Sequence, residues 1–144
     1  MIAARRWLGF GGLLLLLLLG CSSEQDRQYF EQQKYFFLES LQQIDAGGRQ
    51  LQLATDQRSV TEALAMLDEG LKTAFQVERK FLDELDLRLG KNYQRYFIKG
   101  VENYRIGIEA GDEQQQREGL QQLARWAEFW GTERTAIEAR LIPE

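Results

Sequence analysis

The sequence predicts an all-α protein, with four amphipathic helices joined by short links into an up-down-up-down bundle. The single proline among the 144 residues is Pro143, so no proline interrupts a helix. Gln, Glu, Arg, Leu and Ala dominate the composition, and these residues lose the least free energy on entering a helix. No segment shows a period-two alternation rich in Val, Ile and Thr, so strands are not expected.

The first helix is expected to begin after Ser22 or Ser23, whose hydroxyl groups can cap its N-terminus. Apolar residues then recur at spacings of seven, four and three, which is the pattern of one helical face: Phe30, Phe37, Leu41 and Ile44. Gly47-Gly48 would normally stop a helix. Since Leu51 continues the same spacing, we expect the helix to run on to about Ala54.

The second helix is predicted from the capping-box pattern Ser59-Val60-Thr61-Glu62. Apolar residues follow it at three- and four-residue steps: Val60, Leu64, Leu67, Leu71, Phe75, Leu82, Leu85 and Leu89. Gly90 is placed as the terminator of this helix. The pattern therefore predicts a helix of about 30 residues, or about 45 Å.

Two further helices complete the predicted bundle. The third starts near Asn92 and ends at Gly111, with its apolar face formed by Tyr93, Phe97, Val101, Tyr104 and Ile108. Asp112 is placed as the cap of the fourth, whose apolar face comprises Leu120, Leu123, Ala127, Trp130, Ile137 and Leu141. Short links make neighbouring helices antiparallel. A helical-repeat array is the alternative fold, although no 34-residue self-similarity accompanies the turn at 109–112.

The composition excludes several classes of chemistry. The chain has no histidine, which excludes His-based zinc sites, Glu-x-x-His di-iron sites and His-dependent catalytic triads. It has one cysteine, which excludes an internal disulfide, and it shows no glycine-rich phosphate loop or nucleophile elbow. We therefore do not expect an enzyme. The net charge of −6 over residues 21–144 argues against nucleic-acid binding.

The N-terminus has the layout of a signal peptide over residues 1–20. Arg5 and Arg6 precede 13 uncharged residues, Trp7 to Leu19, which include seven consecutive leucines and lead to Gly20-Cys21. An uncleaved signal anchor would use the same leucines. Removal of residues 1–20 would leave 16 basic and 22 acidic residues, a net charge of −6, in a single domain over residues 21–144.

The segment Leu18-Leu19-Gly20-Cys21 resembles the lipobox of bacterial lipoproteins, with Leu19 larger than the usual middle residue. This resemblance implies that the Cys21 sulfur carries a diacylglycerol and that the new amine carries an acyl chain such as palmitate, with no other cofactor. Two or three acyl chains hold a protein firmly on a membrane. The resemblance also suggests the outer membrane, facing the periplasm, because Ser22 follows the cysteine where an Asp would favour retention in the inner membrane.

Two side-chain patterns are candidates for partner binding. The first is a basic stripe on an otherwise acidic chain, which would face anionic headgroups or an acidic partner, or pair with neighbouring acids: Arg88, Lys91, Arg95 and Lys99. The second is a set of aromatic residues next to core positions, which cannot all be buried: Tyr35, Phe36, Tyr96 and Trp126. Acidic residues at 83, 84 and 86 point in different directions, so we expect a solvated face and no metal site.

Two functions remain open. With two to four residues between Cys21 and the predicted first helix, the tether would reach about 7–14 Å and hold the bundle close to its membrane. This favours a membrane-proximal protein-binding adaptor or an accessory to an envelope assembly or secretion machine. The alternative is a periplasmic inhibitor or immunity-type lipoprotein that binds a toxin or enzyme. An adaptor predicts an exposed apolar strip, whereas an inhibitor predicts a concave pocket or an acidic patch.

Overall fold

The computed structural model describes the backbone of residues 11–142 and the side chains of residues 23–142. The predicted signal peptide and the Cys21 side chain lie outside the residues whose side chains are described. The helices are α1 (Gly11–Leu53), α2 (Gln57–Ala74), α3 (Arg79–Leu85), α4 (Leu89–Asn92), α5 (Lys99–Ala110) and α6 (Glu113–Arg140), and a π-helical segment (Tyr93–Ile98) joins α4 to α5. No strand occurs in residues 11–142, which confirms the all-α class.

The described residues divide into two units, 11–32 and 33–142. In the first unit, α1 begins at Gly11, so the start predicted after Ser22 or Ser23 is wrong for the uncleaved chain. The leucine run is itself a strong helix former, and it extends the helix toward the N-terminus. On its exposed surface, Arg27 donates to Glu24 at 2.7 Å, and this hydrogen bond lowers the pKa of the Glu24 carboxyl.

The second unit contains the rest of α1 and all the other helices. α1 continues through Gly47-Gly48 to Leu53, as predicted. Packing accounts for the glycine at position 47, because a Cβ atom there would lie 2.9 Å from the Leu67 side chain of α2. A Cβ on Gly70 of α2 would in turn lie 3.2 Å from the backbone nitrogen of Ile44. These two glycines let α1 and α2 approach closely.

α2 begins one residue after its cap, Asp56. The Asp56 carboxylate accepts from the Ser59 backbone N–H at 2.8 Å, and the Ser59 hydroxyl oxygen accepts from the Asp56 N–H at 3.2 Å. The predicted cap at Ser59 is therefore wrong, since Ser59 occupies the third position of a capping box whose first member is Asp56. The hydrogen bond from Ser59 lowers the pKa of the Asp56 carboxyl.

The predicted helix from Ser59 to Gly90 is broken twice. α2 ends at Ala74, and after α3 the chain turns again at residues 86–88. Gln33 of α1 stabilises the first break, because its side-chain amide donates to the Gln76 carbonyl at 3.3 Å and its oxygen accepts from the Glu78 N–H at 2.7 Å. Phe75, predicted as core, is 62 % exposed at this break.

Gly90 does not end a helix, contrary to the prediction, but lies buried inside α4. A Cβ atom there would lie 3.0 Å from Cγ of Arg79 and 3.2 Å from Cγ of Asp83, so glycine lets α4 pack on α3. α4 then passes without a turn into the π-helical segment and α5. The predicted third helix therefore starts at Leu89, three residues earlier than expected.

The turn between α5 and α6 follows the prediction. Gly111 adopts a left-handed conformation with φ of 65° and ends α5, and Asp112 accepts from the Gln115 N–H at 3.0 Å to cap α6. Below the turn, the two helices are in backbone contact at Gly119. A Cβ atom there would lie 2.7 Å from the Gly100 carbonyl oxygen and closer still to the Tyr104 nitrogen.

The face of α6 differs from the prediction. Ile137 and Leu141 are buried as expected, but Leu120 is 49 % exposed and Ala127 is also exposed. Trp126 is buried instead, because its large ring packs against Tyr93 and Phe97 of the π-helical segment. The buried apolar residues of the second unit come from all of its helices and from the π-helical segment.

Replacement of Gly119 by Ala is expected to lower the free energy of unfolding by about 1–3 kcal/mol, because the new methyl group would overlap backbone atoms of α5. Gly131→Ala is the matched control on the same helix, where a Cβ would have no neighbour within 4 Å. It should raise the free energy of unfolding by about 0.5–1 kcal/mol through helix propensity. Urea denaturation measures both, and equal effects of the two variants would contradict the close approach of α5 and α6.

Candidate functional site

Aromatic rings from three parts of the chain form one cluster in the core. Tyr93 stacks on Phe97 at 5.0 Å within the π-helical segment, and its ring edge meets Phe37 of α1 at 5.5 Å and Trp126 of α6 at 5.8 Å. Trp126 stacks in turn on Trp130 at 5.5 Å. Such pairs contribute about 0.5–1.5 kcal/mol each beyond the area they bury. The cluster therefore holds the π-helical segment against α1 and α6.

A buried hydrogen bond crosses this cluster. The Tyr93 hydroxyl and the Ser40 hydroxyl lie 2.7 Å apart, and Ser40 also lies 2.7 Å from the Phe37 carbonyl. Both side chains are completely buried. Burial raises the pKa of the Tyr93 phenol well above its ordinary value of about 10, so the phenol stays neutral. This pair positions the π-helical segment and does not supply an acid or base at neutral pH.

Tyr96 of the π-helical segment is half-buried and lies at the protein surface. The hydrogen bonding of this segment has the longer π spacing, since the Lys99 N–H donates to the Gln94 carbonyl. The Arg95 guanidinium carbon lies 5.5 Å from the centre of the Tyr96 ring, and that of Arg125 from α6 lies 5.7 Å from it. We call Arg95, Tyr96 and Arg125 the Tyr96 cluster. Single-turn π-helical segments within α-helices are frequent at functional sites.

The four predicted partner-binding aromatics do not share one environment. Tyr35 is 59 % exposed and contacts the half-buried Phe36, with ring centres 5.8 Å apart. Tyr96 is half-buried between the two arginines of its cluster. Trp126 is only 6 % exposed and belongs to the core, so its assignment to a binding face is wrong. The spacing placed Trp130 inward, but the two tryptophans are one turn apart and both fit the same cluster.

The predicted basic stripe is partly neutralised. Arg88 forms ion pairs with Glu133 at 2.9 Å and with Asp86 at 3.5 Å, and hydrogen bonds to these carboxylates raise its pKa. Lys99 pairs with Glu102 at 3.2 Å. Arg88 and Lys99 are therefore not free cations, which agrees with the alternative that the stripe pairs with neighbouring acids. Lys91 and Arg95 form no ion pair within residues 23–142.

Sequence reasoning missed Arg125, which completes the Tyr96 cluster. It lies 29 residues from Tyr96 along the chain, and only the packing of α6 beside the π-helical segment brings them together. In the sequence, Arg125 is marked only by its position next to Trp126, and this neighbour does not indicate that Arg125 contacts Tyr96.

A groove runs between α2 and α5, with a volume of about 780 Å³. Half-buried apolar side chains line it from both helices: Val60, Leu64 and Ile108. Its charged members are paired, because Arg105 bonds Glu109 at 2.9 Å and Asp68 bonds Lys72 at 3.0 Å. The Arg105 Nε atom is buried and has no hydrogen-bond partner among the described residues. The groove thus combines apolar contact area with one unsatisfied donor.

The acidic residues after position 82 form local contacts. Asp83 pairs with Arg79 at 3.2 Å, Glu84 pairs with Lys80 at 3.9 Å, and Asp86 accepts from the Arg88 N–H at 2.8 Å. Across the described part of the chain, no three cysteine or acidic residues are grouped to hold a metal ion. No helix of the described residues combines the length and hydropathy required to span a membrane.

Replacement of Tyr93 by Phe tests the buried hydroxyl pair. It should cost about 1 kcal/mol at neutral pH through loss of the Ser40 hydrogen bond. Above about pH 10 the unfolded chain loses the Tyr93 proton while the folded chain keeps it. The free energy of unfolding of the wild-type protein should therefore fall with rising pH, and Tyr93 should contribute up to about 1.4 kcal/mol per pH unit to this slope.

Urea unfolding from neutral to alkaline pH measures this component as the difference in slope between wild type and Tyr93→Phe. Tyr35→Phe, at an exposed position, is the control and should keep the wild-type slope. A Tyr93→Phe protein with the wild-type slope would show that the phenol titrates alike in both states.

No protein-family model, no curated protein and no solved structure matches this chain. Its function is therefore argued from its own residues. Two surface features are candidate binding sites: the groove between α2 and α5, and the Tyr96 cluster on the π-helical segment.

Proposed function

We propose that this chain is a lipid-anchored lipoprotein of the bacterial cell envelope whose helical domain binds a protein partner close to the membrane. In this proposal residues 1–20 are a cleaved signal peptide and residues 21–144 are the mature domain. Cys21 carries a diacylglycerol and an N-acyl chain, and no other cofactor or catalytic role is proposed. The proposed location is the outer membrane, facing the periplasm.

The N-terminal sequence supports the anchor. Two arginines, an uncharged segment and Leu18-Leu19-Gly20-Cys21 occur in the order that lipoprotein processing requires. Eleven residues, none of them glycine, separate Cys21 from Gln33. Even fully extended, this segment reaches only about 40 Å, so an anchored domain would stay near its own membrane. Confinement of this kind raises the effective concentration toward a membrane-bound partner.

We also propose that the second unit is an up-down-up-down bundle whose four members are α1, α2, α4–α5 and α6. Glycine contacts join α1 to α2 and α5 to α6, and the aromatic cluster joins α1 to the π-helical segment. The links at residues 54–56 and 111–112 are short, which favours antiparallel neighbours. α3 then belongs to the connection between the second and third members.

The groove between α2 and α5 is the observation that carries the binding role. Leu64 and Ile108 line it from facing helices and remain half-buried. A partner helix laid in such a groove would cover these side chains with its own apolar face. The Nε–H of Arg105 would donate a hydrogen bond to a carbonyl or carboxylate oxygen of that partner. Exposed apolar residues elsewhere, such as Phe75 and Tyr35, add to the surface that a partner can cover.

The inhibitor or immunity-type function is the second candidate. The same groove favours it, since a concave pocket suits a protruding segment of a toxin or enzyme. The two functions differ in their need for the membrane. An adaptor depends on confinement at the bilayer, whereas an inhibitor captures its target equally well when released from the membrane.

Lipidation is tested by mass spectrometry of the protein extracted from bacterial membranes. The mature chain should begin at Cys21 and carry diacylglyceryl and acyl groups, and it should incorporate labelled palmitate. Cys21→Ala should abolish the label and prevent cleavage after Gly20. An intact N-terminus at Met1 in the wild-type protein would support the uncleaved signal anchor instead.

Partner capture is tested by crosslinking in cells that produce the anchored protein. Leu64→Glu should reduce capture at least about tenfold, because the new carboxylate would face the partner's apolar side chains. Leu87→Glu is the control, since Leu87 is 87 % exposed and does not line the groove. Equal loss in both variants would contradict the groove as the binding site. Full capture by residues 22–144 secreted behind a signal peptide without a lipobox would favour the inhibitor over the adaptor.

A further inference from the structure

The two arginines of the Tyr96 cluster form no ion pair with the described residues, unlike most arginines of this chain. Every other arginine with a described side chain forms an ion pair, except Arg140, which donates to the Leu85 carbonyl. Arg95 and Arg125 make neither an ion pair nor a hydrogen bond among the described residues. The carboxylate nearest to Arg125 along α6 is Glu128, three residues on, and the two do not pair. The cluster therefore keeps two uncompensated positive charges in a protein of net charge −4.

The two positive charges come from two different elements, the π-helical segment and α6. Arg95 and Tyr96 lie on the π-helical segment, and Arg125 reaches the same ring from α6. Tyr93, three residues before Tyr96, is locked in the core by Ser40 and by its aromatic neighbours. The segment therefore has a fixed inner side and an outer side where two guanidinium groups share one aromatic ring. Lys91, one turn before Arg95, is exposed and forms no ion pair among the described residues.

This arrangement suits a phosphate group. Guanidinium groups donate paired hydrogen bonds to phosphate oxygens, and the ring holds the guanidinium groups in place before the ligand arrives. Tyrosine is also typical of the headgroup level of a bilayer, and Tyr96 is half-buried at the surface. Each cation near an anionic leaflet strengthens attachment about fivefold at low salt.

We infer that the Tyr96 cluster, together with Lys91, binds the phosphate headgroups of anionic phospholipids in the membrane that holds the N-terminus. The inference deepens the proposed function and rests on it, because anchoring is what brings the cluster to a bilayer. Headgroup binding would hold the domain on the leaflet by a second attachment beside the acyl chains. It would also leave the groove between α2 and α5 to the protein partner, since none of its lining residues belongs to the cluster.

The experiment uses the full-length protein, purified from membranes and reconstituted into nanodiscs of phosphatidylcholine with or without phosphatidylglycerol. An arginine-selective dicarbonyl reagent modifies accessible guanidinium groups, and mass spectrometry gives the rate at each arginine. Arg95 and Arg125 should react at least about fivefold more slowly when phosphatidylglycerol is present. Arg117 and Arg134, exposed and ion-paired on α6, serve as internal references and should react equally in both discs.

Three further measurements test whether lipid headgroups cause the slower modification of Arg95 and Arg125. High salt should remove the protection, because the Debye length falls to about 3 Å at 1 M. Inorganic phosphate added to phosphatidylcholine discs should not reproduce it, and equal protection by free phosphate would overturn the assignment to a bilayer. In Arg95→Gln/Arg125→Gln protein, the phosphatidylglycerol-dependent slowing of acetylation at Lys91 should be lost, whereas Arg117→Gln/Arg134→Gln should retain it.

The outcomes separate this inference from the proposed anchor. If the protein floats with the discs and Arg95 and Arg125 react equally in both lipids, headgroup binding is wrong and the anchor stands. If the protein does not float with either disc, the anchor fails. Equal protection of the reference arginines would also overturn the inference, since it would show a general effect of the charged surface on the reagent.

Discussion

Close approach of helix backbones at glycine is the constraint on which the rest of the second unit depends. Gly47 and Gly70 let α1 and α2 touch, and Gly119 brings α6 against the backbone of α5. The helices of each pair therefore approach closely at these glycines. Aromatic side chains then join the two pairs, because Phe37 of α1 contacts Tyr93 of the π-helical segment and Trp130 of α6. Farther along α2 and α5 no aromatic ring fills the space, and the groove results.

The π-helical segment connects this core with the surface. Its wider turns put Tyr93 inside, where a serine hydroxyl satisfies the phenol, and Tyr96 outside, where two arginines meet its ring. The buried contacts of Tyr93 position the backbone from which Arg95 and Tyr96 extend. The core and the candidate anion site are therefore two sides of one structural element.

Charge on the rest of the surface is largely compensated locally. Ion pairs three or four residues apart recur on α1, α2, α5 and α6, for example Arg58 with Glu62 and Arg134 with Glu138. Exposed pairs of this kind contribute about 0.2–1 kcal/mol at most, so their main consequence is a surface with few free cations. The basic stripe expected from spacing alone loses Arg88 and Lys99 to such pairs. The remaining positive region is small and consists of Lys91 and the Tyr96 cluster. Only the packing of α6 assigns Arg125 to it.

The amino-acid sequence by itself determined what depends on neighbouring residues. Composition and the absence of internal proline predicted an all-helical chain, and Gly111-Asp112 predicted a turn from left-handed φ and carboxylate capping. Tertiary structure decided what depends on distant residues. The break after Ala74 is stabilised by Gln33, Gly90 is needed inside α4 because Arg79 and Asp83 lie against it, and Trp126 is drawn into the core by Tyr93. Periodicity cannot register such contacts, because it records which face a residue occupies and not what packs on that face.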